Sequence, residues 1–169
     1  MYYIEPFKCK KIKSEESEEI NNYDVVEYKY PGEWCVLHSN GTICKLISKN
    51  ENILLSDKMK LKCDIVGHYW KFKNRNIFSY FDIITIDGQN LTYKTFKERK
   101  NAFYSIVRED SSLLNEWIKP AASYSIYKWK SMWRNNVLSI QRNINYTGLV
   151  FKKKTSKFGE GLASLNKSI

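Results

Sequence analysis

The chain has 169 residues, of which 43% are hydrophobic and 15% aromatic, which is enough apolar material to build the core of one packed domain. This composition excludes wholesale disorder, and the lack of any run of about 18 consecutive apolar residues excludes a membrane span. With 28 Lys and Arg against 18 Asp and Glu, the net charge of +10 favours a polyanionic partner such as nucleic acid, although an AT-rich genome would also supply many lysines.

The N-terminal part, residues 1–23, precedes the first predicted strand and ends in the acidic, polar connector SEESEEINN, which is typical of a loop or a turn. Five runs rich in Val, Ile, Tyr and Trp follow and are predicted as strands: 24–30, 33–41, 41–50, 53–72 and 76–88. The Asn40-Gly41 pair predicts a type I′ hairpin turn, and Asp87-Gly88 indicates another turn at the end of the fifth run.

Helical periodicity begins in the second half of the chain. Apolar residues recur at near-helical spacing in 95–110, and a second short helix is predicted over 111–118 with Ser111 or Ser112 as its N-cap. Residues 119–141 indicate a strand followed by a helix from about Ser131, and 147–154 a late strand; glycine and serine then punctuate 156–169. The order of strands and helices predicts an α+β fold on antiparallel sheet, with 1–169 as a single domain.

The cysteines and histidines are not arranged as metal ligands. The cysteines lie far apart without a CxxC pair, and we expect His38 and His68 to be hydrogen-bonded strand residues. We therefore predict no metal site, and free thiols of the kind found in a reducing compartment, the cytoplasm or the nucleus. The basic N-terminus, MYYIEPFKCKKIK, lacks the apolar segment of a secretory signal. The cysteines are Cys9, Cys35, Cys44 and Cys63.

A lysine stands where a predicted strand gives way to a tight turn, in the stretch EYKYPGEW at 27–34. A lysine held rigidly at the end of a buried strand, partly desolvated or close to other cations, can act as a nucleophile towards a triphosphate. Lys29 meets the geometric part of that requirement. The same pattern is also typical of an exposed lysine before a turn.

This stretch resembles the first motif of the covalent nucleotidyltransferases, that is, the ATP-dependent DNA and RNA ligases and the mRNA-capping guanylyltransferases. Segments similar to later parts of these families follow in the same order, so that the resemblance extends over residues 2–166: SKN at 48–50, YFDIITIDG at 80–88, FKERK at 96–100 and TGLVFKK at 147–153. The resemblance implies the antiparallel-sheet, ligase adenylation domain-like fold, with the ligases preferred to the capping enzymes.

The resemblance also implies roles for individual residues. Lys29 would form a lysyl-nucleotide from ATP or GTP with Mg²⁺ or Mn²⁺ and pass the nucleotide to a DNA or RNA 5′ end. Lys128, Lys130 and Arg134 are placed on a nucleic-acid surface because cations alternate with aromatics at 127–134. The remaining residues assigned to the nucleotide are Glu27, Tyr30, Gly32, Phe81 (which would stack on the base) and Lys152, and those assigned to nucleic acid are Lys49 and Asn50.

Several positions depart from the family pattern. Pro31 and Trp34 replace an aspartate and an arginine, and His68 and Thr147 stand where the family has acidic residues. The last motif, a Lys-x-Lys strand, is absent, with only Lys167 near its place. The alternative is therefore a catalytically degenerate pseudoenzyme that serves as a nucleic-acid- or partner-binding subunit, and a further one is a fragment of a capping guanylyltransferase. An active enzyme would need a second protein chain or a lost C-terminal segment to complete its site.

Overall fold

Two mainly antiparallel sheets form the framework of the protein in a computed structural model that describes residues 3–50, 52–55, 59–72, 74–109, 117–138 and 146–167. The order of strands in the first sheet is β1 (Lys10–Lys11), β12 (Leu162–Asn166), β11 (Gly148–Lys152), β2 (Val25–Lys29) and β10 (Ser123–Ser125). In the second sheet it is β5 (Asn52–Leu55), β4 (Cys44–Ile47), β3 (Glu33–Asn40), β6 (Lys62–Phe72), β7 (Arg75–Ile86) and β8 (Gln89–Asn90), with β9 (Ile118–Pro120) parallel to β7.

Each sheet packs against one α-helix. Helix α1 (Phe96–Glu109) packs Phe103 on the second sheet, and α2 (Trp129–Leu138) packs Trp129 and Met132 on the first. Side chains alternate between the two faces of a strand, so the opposite faces of the sheets are directed towards each other. The predicted α+β fold on antiparallel sheet is confirmed. No described helix has the length and apolar character needed to cross a membrane.

A tight link joins the two sheets between β2 and β3. Its Gly32 has φ +105°, and a Cβ atom on Gly32 would lie 2.4 Å from the carbonyl oxygen of Tyr69. Any other residue would therefore be strained by its backbone and would collide with β6. The glycine that follows Pro31 is thus explained by the crossing of the chain from one sheet to the other.

The predicted hairpin between β3 and β4 forms, but its turn is not of type I′. Type I′ needs positive φ at both central residues, and only Gly41, with φ +93°, has it. The Asn40 side chain instead accepts hydrogen bonds from the backbone N–H groups of Thr42 and Ile43. At the β7–β8 turn, by contrast, Asp87 and Gly88 both have positive φ, as the Asp-Gly pair predicts.

The second half of the chain differs from the prediction in two places. Strand β12 forms within 156–169, where glycine and serine had indicated irregular structure. Helix α2 begins at Trp129 rather than Ser131, after a 3-10 turn over Ile126–Lys128. A short helix was predicted over 111–118, with its cap at Ser111 or Ser112. Residues 111–116 lie outside the described residues, and Ile118 belongs to β9.

A buried ion pair fastens α1 to the second sheet. Arg99, 3% exposed, donates from Nε and one terminal nitrogen to the two carboxylate oxygens of Asp82 on β7, at 2.7 and 2.9 Å. Its other terminal nitrogen donates to the carbonyl oxygens of Lys94 and Ser156. The guanidinium therefore links the helix, strand β7 and the segment before β12.

Removal of this guanidinium leaves a buried carboxylate without its partner. We expect Arg99→Ala to lower the free energy of unfolding by about 3–5 kcal/mol, measured by urea denaturation. The matched control is Arg75→Ala, since Arg75 is exposed and its replacement should change stability by no more than about 0.5 kcal/mol. Equal effects of the two substitutions would contradict a structural role for the Arg99–Asp82 pair.

Candidate active site

A cleft of about 260 Å³ lies between the facing surfaces of the two sheets. The first sheet contributes most of its polar side chains and the second sheet contributes three rings, while residues 6–11 of the N-terminal segment close one side. Its lining includes Phe7, Cys9, Lys11, Glu27, Lys29, Tyr30, Trp34, His68, Phe81, Lys152 and Asn166.

Lys29 is the last residue of β2 and is half-buried in the cleft. Its Nζ donates a hydrogen bond to Oδ1 of Asn166 at 3.0 Å. Strand β12 can approach so closely because Gly148, paired with Lys29, has no side chain: a Cβ there would lie 2.2 Å from the carbonyl oxygen of Leu165. The sequence thus holds the predicted nucleophile against an uncharged amide group from the last strand.

Glu27, two residues before Lys29 on the same face of β2, is almost fully buried and paired with lysines. Its Oε1 lies 2.7 Å from Nζ of Lys152, its Oε2 lies 3.8 Å from Nζ of Lys100, and the Ser123 hydroxyl donates to the same Oε2. Burial alone would raise the pKa of Glu27, but the two ammonium groups and the hydrogen bonds outweigh it and hold the pKa below its ordinary value. The carboxylate is therefore ionised, with both oxygens occupied by protein groups.

The two lysines that face Glu27 are themselves enclosed by rings. Lys152 donates to the carbonyl oxygen of Phe81 at 3.3 Å, and its Nζ lies 4.8 Å from the ring centroid of Phe96 and 5.2 Å from that of Phe81. Lys100 donates to the carbonyl oxygen of Ala121, and burial lowers its pKa. Electrostatic and cation–π contacts thus compensate the burial of three charges.

Aromatic side chains of the second sheet surround Phe81, the predicted base-stacking residue. The ring centroids of Trp34 and His68 each lie 5.4 Å from that of Phe81, and Phe7 packs edge-on against Trp34 at 5.0 Å. The indole N–H of Trp34 donates to the carbonyl oxygen of Ile4, so the N-terminal segment is fastened over this end of the cleft. The result is an apolar, ring-lined wall opposite the lysines.

The two histidines differ in a way that the sequence did not predict. His38 is hydrogen-bonded as expected, with Nδ1 2.5 Å from Asp64, whose other oxygen accepts from Thr85. The expectation is wrong for His68, because its Nδ1 is buried and has no hydrogen-bond partner among the described residues. Burial, and secondarily the charge of Lys29, lower the pKa of His68 to about 4, so the ring is neutral at pH 7.

The structure separates the predicted site residues into two groups. Lys29, Glu27, Tyr30, Phe81 and Lys152 all line the cleft, while Gly32 serves the turn between the sheets. Within the described part of the chain, the predicted nucleic-acid residues lie outside this lining. All of them are exposed, and α2 lies on the face of the first sheet opposite the cleft: Lys49, Asn50, Lys128, Lys130 and Arg134.

The alternating cations and aromatics of 127–134 are split between core and surface. Trp129 is buried and Trp133 half-buried against the same apolar cluster, so the pair forms the packed face of the helix.

Tyr30 packs against two other rings. Its ring stacks on that of Trp70 with the centroids 6.3 Å apart and contacts that of Tyr146 edge-on at 5.2 Å, and burial raises the pKa of Tyr30. All three rings are half-buried, and Tyr30 lines the cleft.

No protein-family model matches the chain, and no curated protein matches its sequence. Solved structures, however, match its fold. The ligase domain of LigD from M. tuberculosis has a TM-score of 0.61 at 11% identity, over 85% of this chain and 53% of that domain. A structure of the Lig E DNA ligases has a TM-score of 0.61 at 14% identity, over 98% of this chain and 70% of that one.

A structure described as Chlorella virus DNA ligase-adenylate has a TM-score of 0.59 at 11% identity, over 95% of this chain and 68% of that one. The chain has the DNA ligase adenylation-domain fold. At these identities the likeness concerns the fold alone, and the chain spans about half the length of the LigD ligase domain. The predicted fold is thereby confirmed, and the roles of individual residues remain predictions.

Several residues of the ligase-fold cleft were missed by sequence reasoning. Asn166 could have been found from β12, where Leu162, Ser164 and Asn166 line the cleft and alternate with the core residues Ala163 and Leu165. Lys100 and Ser123 gave no local signal, since they reach Glu27 only through the tertiary fold. Among the described residues there is no group of three or more His, Cys, Asp or Glu side chains that could hold a metal ion.

Neutralisation of Glu27 tests the buried charge network. We expect Glu27→Gln to lower the free energy of unfolding by about 3–5 kcal/mol, because two enclosed ammonium groups lose their carboxylate. In the native protein this stabilisation is complete above the ordinary pKa of 4.5 and is lost as the pH falls through the lowered folded-state pKa. Urea denaturation between pH 7 and pH 3 measures both effects.

The control for this substitution is Glu33→Gln, because Glu33 is exposed at the start of β3. It should leave stability within about 0.5 kcal/mol of the native value. If Glu27→Gln kept the native protein's loss of stability at low pH, Glu27 would not be the group whose titration causes it.

Proposed function

We propose that the chain is a ligase-like nucleotidyltransferase in which Lys29 carries the nucleotide. The observation that supports this most directly is the position of Lys29: half-buried, at the end of a central strand, in the cleft of a DNA ligase fold. Its hydrogen-bond partner is an amide oxygen, and it forms no ion pair among the described residues. A neutral partner orients the amine without adding the negative charge that would favour its protonated form.

In the proposed first step, the unprotonated Nζ of Lys29 attacks the α-phosphorus of ATP or GTP. A P–N bond forms, the bond from the α-phosphorus to the bridging oxygen breaks, pyrophosphate leaves, and the amine loses a proton to solvent. In the second step a phosphate oxygen of a nucleic-acid 5′ end attacks the same phosphorus, and Lys29 leaves with a proton. The α-phosphorus must lie in line between the incoming and leaving atoms in each step.

The two walls of the cleft suit the two ends of a nucleotide. Lys29 and Lys11 supply positive charge for phosphates on the first sheet, and Phe81 and Trp34 supply apolar surface for a base on the second. The described residues do not form a carboxylate site for a divalent cation, so Mg²⁺ or Mn²⁺ belongs to the proposal only as a companion of the nucleotide's phosphates. ATP is the first nucleotide to test, since a mycobacterial DNA ligase D with this fold was solved with ATP.

A nucleic-acid end is the proposed acceptor, DNA or RNA, and the net charge of +10 supports a polyanion. The neighbours of the same fold are DNA ligases. The exposed Lys128, Lys130 and Arg134 on and before α2 are proposed to contact phosphates, as are Lys49 and Asn50. Because α2 lies behind the first sheet, these contacts would hold nucleic acid at a distance from Lys29. A second protein chain that completes the site remains part of this proposal.

A binding module without transfer is the second candidate, and one observation favours it. Glu27, the one carboxylate in the described lining of the cleft, is occupied by Lys152, Lys100 and Ser123, so this lining offers no free acid to help hold a metal ion or a proton. In this case the ligase fold would bind a nucleotide or nucleic acid and leave it unchanged.

Covalent labelling separates the two candidates. The protein is incubated with α-³²P-labelled ATP, then GTP, with Mg²⁺ or Mn²⁺, and analysed by denaturing gel and intact mass. We expect a labelled adduct that falls below about 1% of the native level in Lys29→Ala, because the nucleophile is lost. Lys97→Ala is the control, since Lys97 is exposed on α1 and should keep full labelling.

Label that persists in Lys29→Ala would show that another residue is the nucleophile. Nucleotide that raises the melting temperature of the native protein without forming an adduct would favour the binding module. No adduct and no thermal shift with either nucleotide would overturn nucleotide binding by this cleft.

The proposed nucleic-acid surface predicts a change in salt dependence. Replacement of Lys128, Lys130 and Arg134 together by Ala should weaken binding to single-stranded DNA and RNA. It should also lower the slope of log K against log salt by about 2–3, because each phosphate contact contributes about 0.7–0.9. Fluorescence anisotropy over a salt series measures the slope. The control is a triple alanine variant of three exposed lysines elsewhere, Lys45, Lys60 and Lys62. The same reduction of the slope in this control would contradict a specific nucleic-acid surface.

A further inference from the structure

Residues 4–11, here called the strap, cross one side of the cleft and are attached to both sheets. At one end the carbonyl oxygen of Ile4 accepts a hydrogen bond from the indole N–H of Trp34 on the second sheet, at 2.7 Å. At the other end strand β1 pairs in parallel with β12 of the first sheet. The strap therefore joins the two sheets at the side of the cleft where the aromatic wall lies.

The middle of the strap is held by the packing of one ring. Residues 5–8 make no hydrogen bond with the rest of the described chain, and among them only Phe7 is half-buried. The ring of Phe7 packs edge-on against those of Trp34 and Phe158, with the centroids 5.0 and 4.7 Å apart. A segment without backbone hydrogen bonds and with few apolar contacts opens at a low free-energy cost. The strap is thus fixed at its ends and can open in its middle.

The ring of Phe81 is enclosed by its neighbours in this arrangement. Nζ of Lys152 lies 5.2 Å from the ring centroid of Phe81, and the ring centroids of Trp34 and His68 each lie 5.4 Å from it. The ring of Phe7 follows at 6.3 Å. A flat base that stacks on Phe81 needs one clear ring face, so one of these groups must give way. The other three groups belong to paired strands, and Phe7 is the one in a segment that can open.

We propose that the strap is an autoinhibitory gate: Phe7 covers the aromatic wall in the free protein, and a base reaches Phe81 only when Phe7 swings out. This inference rests on the proposed nucleotide binding. A ligand that binds only the open form has its apparent affinity lowered by the fraction of protein that is open. Phosphates meet Lys29 on the other wall, so the gate acts on the base and leaves the phosphates unaffected.

Cys9 reports the opening of the strap without any nucleotide. It lies in the strap, lines the cleft and is half-buried, whereas the other three cysteines are buried. Burial raises the pKa of the Cys9 thiol and so limits the thiolate that reacts with iodoacetamide. We expect Phe7→Ala to raise the rate of Cys9 alkylation about tenfold at constant pH, followed by intact mass and peptide mapping. Equal alkylation rates in the native protein and the variant would overturn the gate.

Calorimetry with ATP and with inorganic triphosphate tests what the gate excludes. Phe7→Ala should bind ATP about tenfold more tightly than the native protein does, because a minor open state is commonly populated to about 10% or less. Both proteins should bind triphosphate equally within about twofold. Phe7→Leu keeps an apolar side chain without the ring and should have an intermediate affinity for ATP. The control is Ile126→Ala, which removes a half-buried apolar side chain from the cluster under α2 and should bind ATP as the native protein does.

The outcomes separate the gate from the proposed function on which it rests. An affinity for ATP that does not increase in Phe7→Ala, or that increases equally for triphosphate, would overturn the gate while Lys29 labelling stands. No binding of ATP by the native protein or by either Phe7 variant would overturn nucleotide binding by the cleft and the gate with it. A cooperative melting transition establishes that Phe7→Ala is folded, and if it is not, Phe7→Leu must show the same direction of change.

Discussion

The buried carboxylate of Glu27 is the interaction on which the geometry of the cleft depends. It joins β2 to β11 through Lys152, to α1 through Lys100 and to β10 through Ser123. Three of these elements belong to the first sheet, and α1 packs on the second, so one carboxylate connects the two halves of the fold. Lys29 lies two residues further along β2 and on the same face, and the network therefore fixes the strand that carries the proposed nucleophile.

In this arrangement the buried charged side chains pair with one another, so they are not available to a ligand. An isolated buried carboxylate would be protonated, and isolated buried lysines would lose their protons. Glu27, Lys152 and Lys100 avoid this by their mutual contacts and by the faces of Phe81 and Phe96. The contacts of Glu27 are thereby structural, although the resemblance assigned this residue to the nucleotide. The cleft keeps Lys29, whose partner is the uncharged Asn166.

Local sequence signals predicted the framework because each depends on neighbouring residues. Runs rich in Val, Ile, Tyr and Trp predicted β2, β3 and β7. The glycine of the Pro31-Gly32 turn is explained by a close backbone contact. The type I′ turn at Asn40 failed because a side-chain hydrogen bond offered the backbone another conformation. Strand β12 was missed because serine and glycine near it resemble a loop, whereas pairing with β11 and β1 decides its state.

The site could be predicted only where one residue type carries the chemistry. Lys29 was predicted because EYKYPGEW resembles the first motif of the ligases, since a lysine before a turn is by itself a weak signal. Lys100, Asn166 and the unsatisfied nitrogen of His68 were not found, because each follows from distant strands and helices that meet at the cleft. A histidine in a strand gives no sign in the sequence of whether an acid faces it. The contrast between His38 and His68 is a property of the sheet and its neighbours.

The positions that depart from the ligase pattern follow one physical trend. Trp34 and His68 both stand on the second sheet where the family has charged groups, and in this protein both present rings that are neutral at pH 7 to the cleft. Trp34 also fastens the N-terminal segment through Ile4, which an arginine directed at phosphate would not do. The positive charge of the cleft thus lies on the first sheet and its apolar surface on the second. A ligand that spans the two sheets must carry both characters, and this division, rather than any single replaced residue, sets what the cleft can bind.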